Sequence, residues 1–476
     1  MQIRVLAALL LPLNACTHRG DDADSQVARL TREQLMDPQS CQGCHPQHYR
    51  EWSSSMHAYA AEDPVFLAMN RRGQRETEGE LGEFCVRCHA PMALREGATS
   101  DGLNLSEVPK KLQGVTCYFC HNATNVDDVF NNHIDLADDV TLRGAIADPV
   151  DNGAHASTYS PLQDRNRSES SRLCGACHDV VTPSGVHLER TYREYEKSLF
   201  AGPGPGFDTC SGCHMPGRPG AVAATGPAND RTRHEHLWPG VDTALSGFPD
   251  RQAQRLAIEC ELSLGTRIYD VSQDGLGGLT VRLETSAGHR QPSGAAPDRR
   301  LWLEVVAYDA DDRMVFSSGV VGDREPVAKA VGSPGFDPQL ALYRDWIYDE
   351  RGQEVHMFWQ AAPSSTYPDG YASWTLPPPL TPLAPHTLEA SYQIPGFARV
   401  VRVRMRLRMR AVGIDVLQSL VNSGDLDPRV VDELPTFTLH GVAVDYDTNT
   451  QTMQPLWPPE LHCPESYRCL IDPDAC

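Results

Sequence analysis

Apolar and polar residues alternate in the second half of the chain, whereas the first half lacks this pattern. From about Leu262 onward, short runs place apolar side chains at every second position, which is the period of a strand with one buried face. The clearest runs are residues 279–286, 299–321, 354–361, 386–394 and 400–412. Pro-rich loops separate these runs, and only residues 415–422 suggest a helix. The pattern predicts an antiparallel β-sandwich-like domain over residues 261–476.

In the first half the sequence predicts helices, but these are short and often interrupted. Residues 49–61 and 190–200 have the composition of helices, and the Gly/Pro run Gly202 to Gly206 is typical of a break. Residues 40–260 are therefore predicted to form a mainly α-helical and irregular domain with little core of the usual kind. The chain as a whole is predicted to be multidomain, since 476 residues are long for one domain.

A five-residue pattern, Cys-x-x-Cys-His, occurs five times in this first half. The copies are Cys41/Cys44/His45, Cys85/Cys88/His89, Cys117/Cys120/His121, Cys174/Cys177/His178 and Cys210/Cys213/His214. Residue frequencies alone would produce roughly 0.02 copies. In this arrangement two thiols bond to the vinyl groups of a haem and the adjoining imidazole ligates its iron. We therefore expect five c-type haems, each with its motif histidine as one axial ligand.

Structural zinc is the main alternative, because paired Cys-x-x-Cys units also bind that metal. Zinc does not require a histidine directly after each second cysteine, so haem explains the pattern better. The chain carries 42 basic and 63 acidic residues, a net charge of −21, which argues against nucleic acid as a partner.

The N-terminus, MQIRVLAALLLPLNAC, has Arg4 followed by an apolar run that is too short to span a bilayer. Residues 1–15 resemble a lipoprotein signal peptide, with Cys16 as the lipidated residue and residues 16–39 as a polar tether. An ordinary cleaved signal, with Cys16 incidental, is the alternative. Thr17 after that cysteine favours an outer-membrane lipoprotein on the periplasmic or cell-surface side. Either signal predicts export, which c-type haem attachment also requires.

Four cysteines remain outside the motifs and Cys16, and in an oxidising compartment we expect them to pair. They are Cys260, Cys463, Cys469 and Cys476. Four cysteines allow three connectivities, which the sequence does not distinguish. At least one bridge is expected to pin the C-terminal tail, with Cys260 as a candidate for joining it to the domain boundary.

The second axial ligand of each iron has to come from elsewhere. His48 is a poor choice for the first haem, since three residues after His45 on a helix it lies on the same side of the ring. His57 lies twelve residues after His45, about 18 Å away along a continuous helix, so we expect it to reach a neighbouring haem.

This stretch, with Tyr49, Trp52, Ser55 and His57 after the first motif, resembles the multihaem cytochromes related to the tetrahaem cytochrome c-554 family. Residues 155–195 and the later TCSGCHMP extend the likeness to about residues 40–240. The resemblance implies a compact stack of closely spaced haems, mostly with two histidine ligands, used for electron transfer. It also implies that His57 and His155 occupy distal-ligand positions and that His236 is similar to another. This chain departs from the family's usual four haems by carrying five motifs.

Two irons are left without an implied distal ligand. His133 lies in a polar insert between two motifs, and His289 lies in the second half, where it would staple the two domains together. We expect these two to serve, with His187 and His234 as further candidates and hydrogen-bonded loop histidines as the alternative reading. Methionine ligation is also open, through Met56, Met69, Met92 or Met215.

Residues 400–412, VVRVRMRLRMRAV, give the sharpest strand prediction. One face, predicted to be buried, comprises Val401, Val403, Met405, Leu407 and Met409. The other carries Arg402, Arg404, Arg406, Arg408 and Arg410. This row is expected to meet carboxylates of its own domain or haem propionates, or else to face solvent.

No other catalytic signature stands out: the chain has no Walker loop, nucleophile elbow, HExxH pair or lysine-ending haem motif. The sequence therefore predicts an exported, lipid-anchored pentahaem c-type cytochrome that carries electrons to a redox partner protein or an extracellular acceptor. The alternative is a multihaem oxidoreductase acting on a small nitrogen or sulfur compound at one five-coordinate haem. A third possibility is a structural conduit whose β-domain docks a membrane complex.

Overall fold

The computed structural model describes residues 29–150, 152–204, 206–224, 231–381, 386–458 and 463. Cys16, Cys469 and Cys476, and the expected signal peptide, lie outside these residues, as does most of the expected tether. The helices are α1 (Arg32–Leu35), α2 (Gln39–Gln42), α3 (Pro46–Ser53), α4 (Met56–Tyr59), α5 (Pro64–Glu76), α6 (Val86–His89), α7 (Pro91–Arg95), α8 (Cys117–His121), α9 (Ser168–Gly175), α10 (Thr191–Glu196), α11 (Cys210–His214), α12 (Arg251–Leu264), α13 (Ile414–Asn422) and α14 (Pro428–Glu433).

Strands occur as short ribbons in the first half and as larger sheets in the second. The ribbons are β1 (Ala123–Val126), β2 (Ile134–Leu136), β3 (Thr141–Gly144), β4 (Ala156–Tyr159), β5 (Asp179–Val181), β6 (His187–Arg190), β7 (Gly217–Pro219) and β8 (Thr232–His234). The later strands are β9 (Thr266–Gln273), β10 (Gly278–Thr285), β11 (Arg300–Asp309), β12 (Met314–Ser318), β13 (Ala341–Tyr348), β14 (Glu354–Val355), β15 (Tyr371–Trp374), β16 (Thr387–Gln393), β17 (Val400–Arg410), β18 (Phe437–Asp447) and β19 (Thr452–Pro455).

The second half confirms the predicted antiparallel β-domain. One sheet runs β14-β13-β11-β17-β18-β19, with β12 added on β11 and β15 on β13, and a second sheet has the order β16-β10-β9. Apolar side chains from both sheets share one buried core, which α13 and two residues of α5 also enter. The helix expected near residue 415 is α13. The first half holds ribbons of two strands and short helices, as the mainly α-helical and irregular prediction requires.

Strand β17 follows the predicted alternation with one correction. Val403, Met405, Leu407 and Met409 are buried, whereas Val401 is only half-buried and Val400 is buried instead. The pairing with β11 shifts between Tyr308 and Asp309, and this irregularity moves the inward position by one residue.

The arginine row of β17 meets carboxylates of its own domain. Arg404 pairs with Asp445 at 2.9 Å, and Arg406 forms an ion pair with Glu304. Arg410 is fully buried and donates to the carbonyl groups of Glu325 and Gly322. Of the expectations for this row, pairing within the domain is therefore the one observed.

Several predicted elements differ in extent. The run at residues 354–361 forms only β14 and a 3₁₀ turn, Phe358–Gln360. Helix α12 crosses the expected boundary at residue 260 and packs against β18, so the sheet begins four residues later than expected, at Thr266. The continuous helix considered for residues 46–61 is broken, because the Ser55 hydroxyl accepts from the Ala58 N–H and starts α4 as a separate turn.

The two halves are joined covalently and by charge. Cys260 on α12 forms a disulfide with Cys463, which ties the end of the described chain to the helix between the domains. Arg75 of α5 donates to both carboxylate oxygens of Asp425 at 2.6 Å. Arg190 of β6 forms an ion pair with buried Asp345. Within the described residues, no helix combines the length and apolarity needed to cross a bilayer.

Candidate functional site

Each Cys-x-x-Cys-His motif forms about one helical turn. The His45 N–H donates to the Cys41 carbonyl at 2.7 Å, and the His178 N–H donates to the Cys174 carbonyl at 3.0 Å. Such a turn brings residues three and four apart to one side, so both sulfur atoms and the imidazole face the same space. Thr116 and Thr209 begin α8 and α11, respectively, with side-chain caps, which explains why such short helices form at all.

All fifteen motif residues line one continuous cavity of about 2820 Å³. This volume is well above the roughly 300–1,000 Å³ of a site for one small molecule. The cavity lies mainly within the first half, and residues 286–295 of the second half close one side. Within the described residues, no three His, Cys, Asp or Glu side chains converge as a zinc site would require. The space therefore suits several large apolar groups better than metal ions alone.

Four motif histidines each face a second histidine across this cavity. The ring centroids are 6.3 Å apart for His45 and His155, 6.2 Å for His178 and His57, 6.4 Å for His121 and His236, and 6.3 Å for His214 and His289. A metal–imidazole bond is about 2 Å long, so two imidazoles on opposite sides of one metal have centroids about 6 Å apart. The four pairs therefore have the separation that a shared iron would need.

Backbone carbonyls orient most of these rings. The Nδ1 atom of His45 lies 2.6 Å from the Val222 carbonyl, and that of His121 lies 2.6 Å from the Arg143 carbonyl. His89, His155, His214, His236 and His289 make the same kind of contact at 2.9–3.2 Å. Because Nδ1–H donates to the carbonyl, the lone pair is left on Nε2, which is the tautomer that ligates a metal.

His57 owes its position to a close approach of the backbone. The Val115 N–H donates to the His57 carbonyl at 2.8 Å. Gly114 precedes Val115 with a φ of 69°, and a Cβ atom there would come within 2.6 Å of the same carbonyl oxygen. Only glycine fits this contact, which connects the third motif with the segment carrying His57.

Burial keeps the facing groups uncharged. It lowers the pKa of His57 to about 3 and that of His178 to about 4, so both imidazoles are neutral at physiological pH. Burial also raises the pKa of the Cys85 and Cys120 thiols to about 12, which keeps them protonated. Neutral imidazoles and thiols are the forms that axial ligation and addition across a vinyl group require.

Thiols of different motifs lie near one another. Cys41 raises the pKa of Cys117, Cys88 that of Cys177, and Cys210 that of Cys174. The first motif therefore lies near the third, the second near the fourth, and the fourth near the fifth.

His89 differs from the other motif histidines. Its ring stacks on Phe66 with centroids 4.0 Å apart and planes at 3°, and no histidine faces it within the described residues. His133, expected as a distal ligand, lies outside the main cavity and lines a separate one with Arg87 and Arg95. Its ring contacts Phe130 instead. The structure thus does not bring His133 to any motif histidine of the described chain.

The other candidate histidines occupy different places. His187 contacts the Arg193 guanidinium outside the cavity, and His234 lines the cavity with its Nδ1 atom 3.1 Å from the Met215 carbonyl. His48, not expected as a ligand opposite His45, lies between the rings of His45 and His236, at 5.8 Å and 4.7 Å.

Trp238 was not singled out from the sequence. Its ring lies between His57 and His236, at 4.6 Å and 5.1 Å. The sequence feature that could have identified it is a bulky residue directly before Pro239, within a histidine-rich run.

Comparisons with known proteins agree with this geometry. Residues 40–122 match the sequence model of the family described as cytochrome c554 and c-prime. The crystal structure of a penta-heme cytochrome c552 from Thermochromatium tepidum is similar, with a TM-score of 0.56 and 22% identity, covering 87% of this chain and 98% of that one. No curated protein matches the chain significantly. The resemblance to the cytochrome c-554 family is therefore confirmed over residues 40–122, and the chain has the fold of a penta-heme cytochrome c.

Proposed function

We propose that this protein is an exported, lipid-anchored pentahaem c-type cytochrome that carries electrons along closely packed haems. The observation that carries this proposal is the set of four facing histidine pairs, all with centroids 6.2–6.4 Å apart inside one cavity. A cavity lined by five Cys-x-x-Cys-His turns has no other ready explanation. The family match over residues 40–122 and the penta-heme structural neighbour point the same way.

The residues present fit haem c at each motif. Two cysteines would hold each porphyrin through thioether links, and the motif histidine would bind its iron through Nε2. His155, His236, His57 and His289 would supply the second ligands of the first, third, fourth and fifth haems, respectively. When bound, haem supplies one-electron chemistry, while the chain sets ligands, spacing and exposure.

Contacts between motifs support electron transfer along the chain of sites. Neighbouring thiols place the first site near the third, the second near the fourth, and the fourth near the fifth. Trp238 lies between His236 and His57, which connects the third site with the fourth. Every site thus has a neighbour, and an electron entering at either end has a short path to all five.

The location and partners follow from the sequence. Cys16 would carry the lipid, residues 16–39 would act as a tether, and the cytochrome would sit on the outer membrane. Its acceptor would be a redox protein or an extracellular oxidant. The net charge of −21 favours a basic docking surface on that partner and makes nucleic acid an unsuitable one.

A reductive titration tests the carrier function. Stepwise addition of dithionite to the purified protein should consume five electrons per chain, and all five should return to an added oxidant. Fewer than five electrons, or a site that never re-oxidises, would contradict the proposal. The same sample shows whether electrons move between sites, because slow internal transfer gives several separate re-oxidation phases.

One observation favours a second function. His89 has no histidine opposite it among the described residues, so the second haem would keep an open position. Such a site suits a multihaem oxidoreductase acting on a small nitrogen or sulfur compound. The test is turnover of nitrite or hydroxylamine with reduced protein, compared with an H89A variant. If the wild type shows no turnover, the enzymatic function is excluded and electron transfer is the one proposed function that remains.

A further inference from the structure

One short segment, residues 234–240, contacts three of the five sites. The His236 ring faces His121, and its Nδ1 atom lies 2.9 Å from the His234 carbonyl. The Pro239 carbonyl lies 3.2 Å from Nδ1 of His214, the motif histidine of the fifth site. Trp238 lies between His236 and Pro239 in the chain, and its ring contacts His57, which faces the motif histidine of the fourth site.

Trp238 makes edge-to-face contacts with two distal histidines at once. Its ring centroid is 4.6 Å from that of His57, with planes at 86°, and 5.1 Å from that of His236, with planes at 67°. Edge-to-face contact at such distances is favourable, and it also restricts rotation of both imidazoles about their χ2 angles.

The backbone holds Trp238 in an unfavourable conformation. Its φ of 45° lies in the left-handed region, which a bulky residue rarely adopts, and the following Pro239 restricts it further. Strain of this kind persists only where the surroundings fix it. Here the carbonyls of His234 and Pro239, on either side, are both engaged by imidazole Nδ1 atoms.

The facing pairs differ in the angle between their rings. The planes of His57 and His178 are at 89°, whereas those of His45 and His155 are at 33°, those of His121 and His236 at 16°, and those of His214 and His289 at 11°. His57 has no carbonyl partner for its ring nitrogen among the described contacts, so Trp238 is the neighbour that can fix its plane.

We propose that Trp238 is a positioning residue that holds the His57 ring perpendicular to His178 and the His236 ring nearly parallel to His121. The inference rests on the proposed haem ligation and adds what sets its geometry. Perpendicular axial imidazoles leave the iron orbitals nearly degenerate, which gives a low-spin EPR signal dominated by one large g value. Near-parallel imidazoles remove the degeneracy and give an ordinary rhombic spectrum. Trp238 therefore makes the fourth haem spectroscopically distinct from the first, third and fifth.

The test is low-temperature EPR of the oxidised, haem-loaded protein and three variants. Trp238→Gly removes the ring and tolerates the left-handed backbone, so it is the ring-deletion least prone to misfold. Trp238→Phe keeps an aromatic edge. Trp359→Ala is the matched control, since Trp359 packs near α5 and bonds to Glu76 outside the main cavity.

We expect the large-g signal, one haem per chain in the wild type, to be lost in Trp238→Gly and kept in Trp238→Phe and Trp359→Ala. An unchanged signal in Trp238→Gly with five haems attached would overturn the inference, as would a wild type with five haems and no large-g signal. Fewer than five attached haems in the wild type would instead refute the proposed function, so the two failures are distinguishable by haem count.

Discussion

His289 faces His214 across the boundary between the two halves of the chain, with ring centroids 6.3 Å apart and planes at 11°. His214 ends α11 in the haem-binding half, and His289 lies in the loop after β10 of the β-domain. A shared iron would make this pair a link between the domains.

Replacing His289 by Ala should leave five thioether-bound haems but convert one from low spin to high spin, because its iron loses a strong ligand. The measurement is the low-field EPR signal of high-spin ferric haem, counted per chain. His133→Ala is the matched control and should not change the count, since His133 lies outside the cavity. A new high-spin haem in His133→Ala, with none in His289→Ala, would reverse the assignment.

The second haem should bind exogenous ligands without any mutation. His89 has only Phe66 stacked on its ring, so cyanide added to the oxidised protein should convert one high-spin haem per chain to low spin. The absorption change should saturate at one equivalent, because under the proposed ligation each of the other four irons would have two histidine ligands. A fully low-spin spectrum before cyanide is added would show that another residue occupies this position.

Stability should fall as pH rises through neutrality because of Glu189 on β6. Burial raises the pKa of this carboxyl to about 7, and Asp242 adds to the effect, while the Arg299 guanidinium opposes it. In the unfolded chain a glutamate titrates near pH 4.3. The contribution of protonated Glu189 to the free energy of unfolding is therefore fully present below about pH 4. It is lost as the pH rises through about 7.

Glu189→Gln should remove this loss, which is of the order of 3–4 kcal/mol. The free energy of unfolding in urea, measured at pH 5 and pH 8, should differ less in the variant than in the wild type. Glu350→Gln, on an exposed turn, should keep the wild-type difference. Equal pH dependence in all three proteins would exclude Glu189 as the source.

The Cys260–Cys463 disulfide should contribute about 2–5 kcal/mol, since it closes a long stretch of chain. Cys463→Ser should lower the free energy of unfolding by this amount, which is measured as a lower midpoint in urea. Cys260→Ser and the double variant should match it, because removing the second partner of a broken bridge adds little. Additive losses from the two single variants would mean that the cysteines act separately.

The sequence predicted those features that can be recognised from residue types and their spacing. Five motifs and the β-domain with its alternating strand 400–412 could be found because each has a characteristic residue type or spacing. His57, His155 and His236 were implied by the family resemblance, and His289 was a candidate ligand. The facing of His289 and His214 brings together residues 75 positions apart, and the sequence did not predict which motif histidine His289 would face.

What the sequence did not predict depends on the backbone. Motif histidines are oriented by the backbone carbonyls of Val222, Ala60 and Arg143. Every residue has a backbone carbonyl, so the sequence does not show which of them will contact a histidine. The register shift that buries Val400 in place of Val401 arises from pairing with β11, which local alternation does not reveal. His133 was a candidate because it lies near the motifs in sequence, but in the structure it lines a separate cavity beside α6 and α7.

Intact-mass spectrometry of the purified protein tests the central claim most directly. Five haem groups should add to the mature chain mass, and peptide mapping should find one on each Cys-x-x-Cys-His motif. Fewer than five added haems, or motif cysteines recovered as free thiols, would contradict the account.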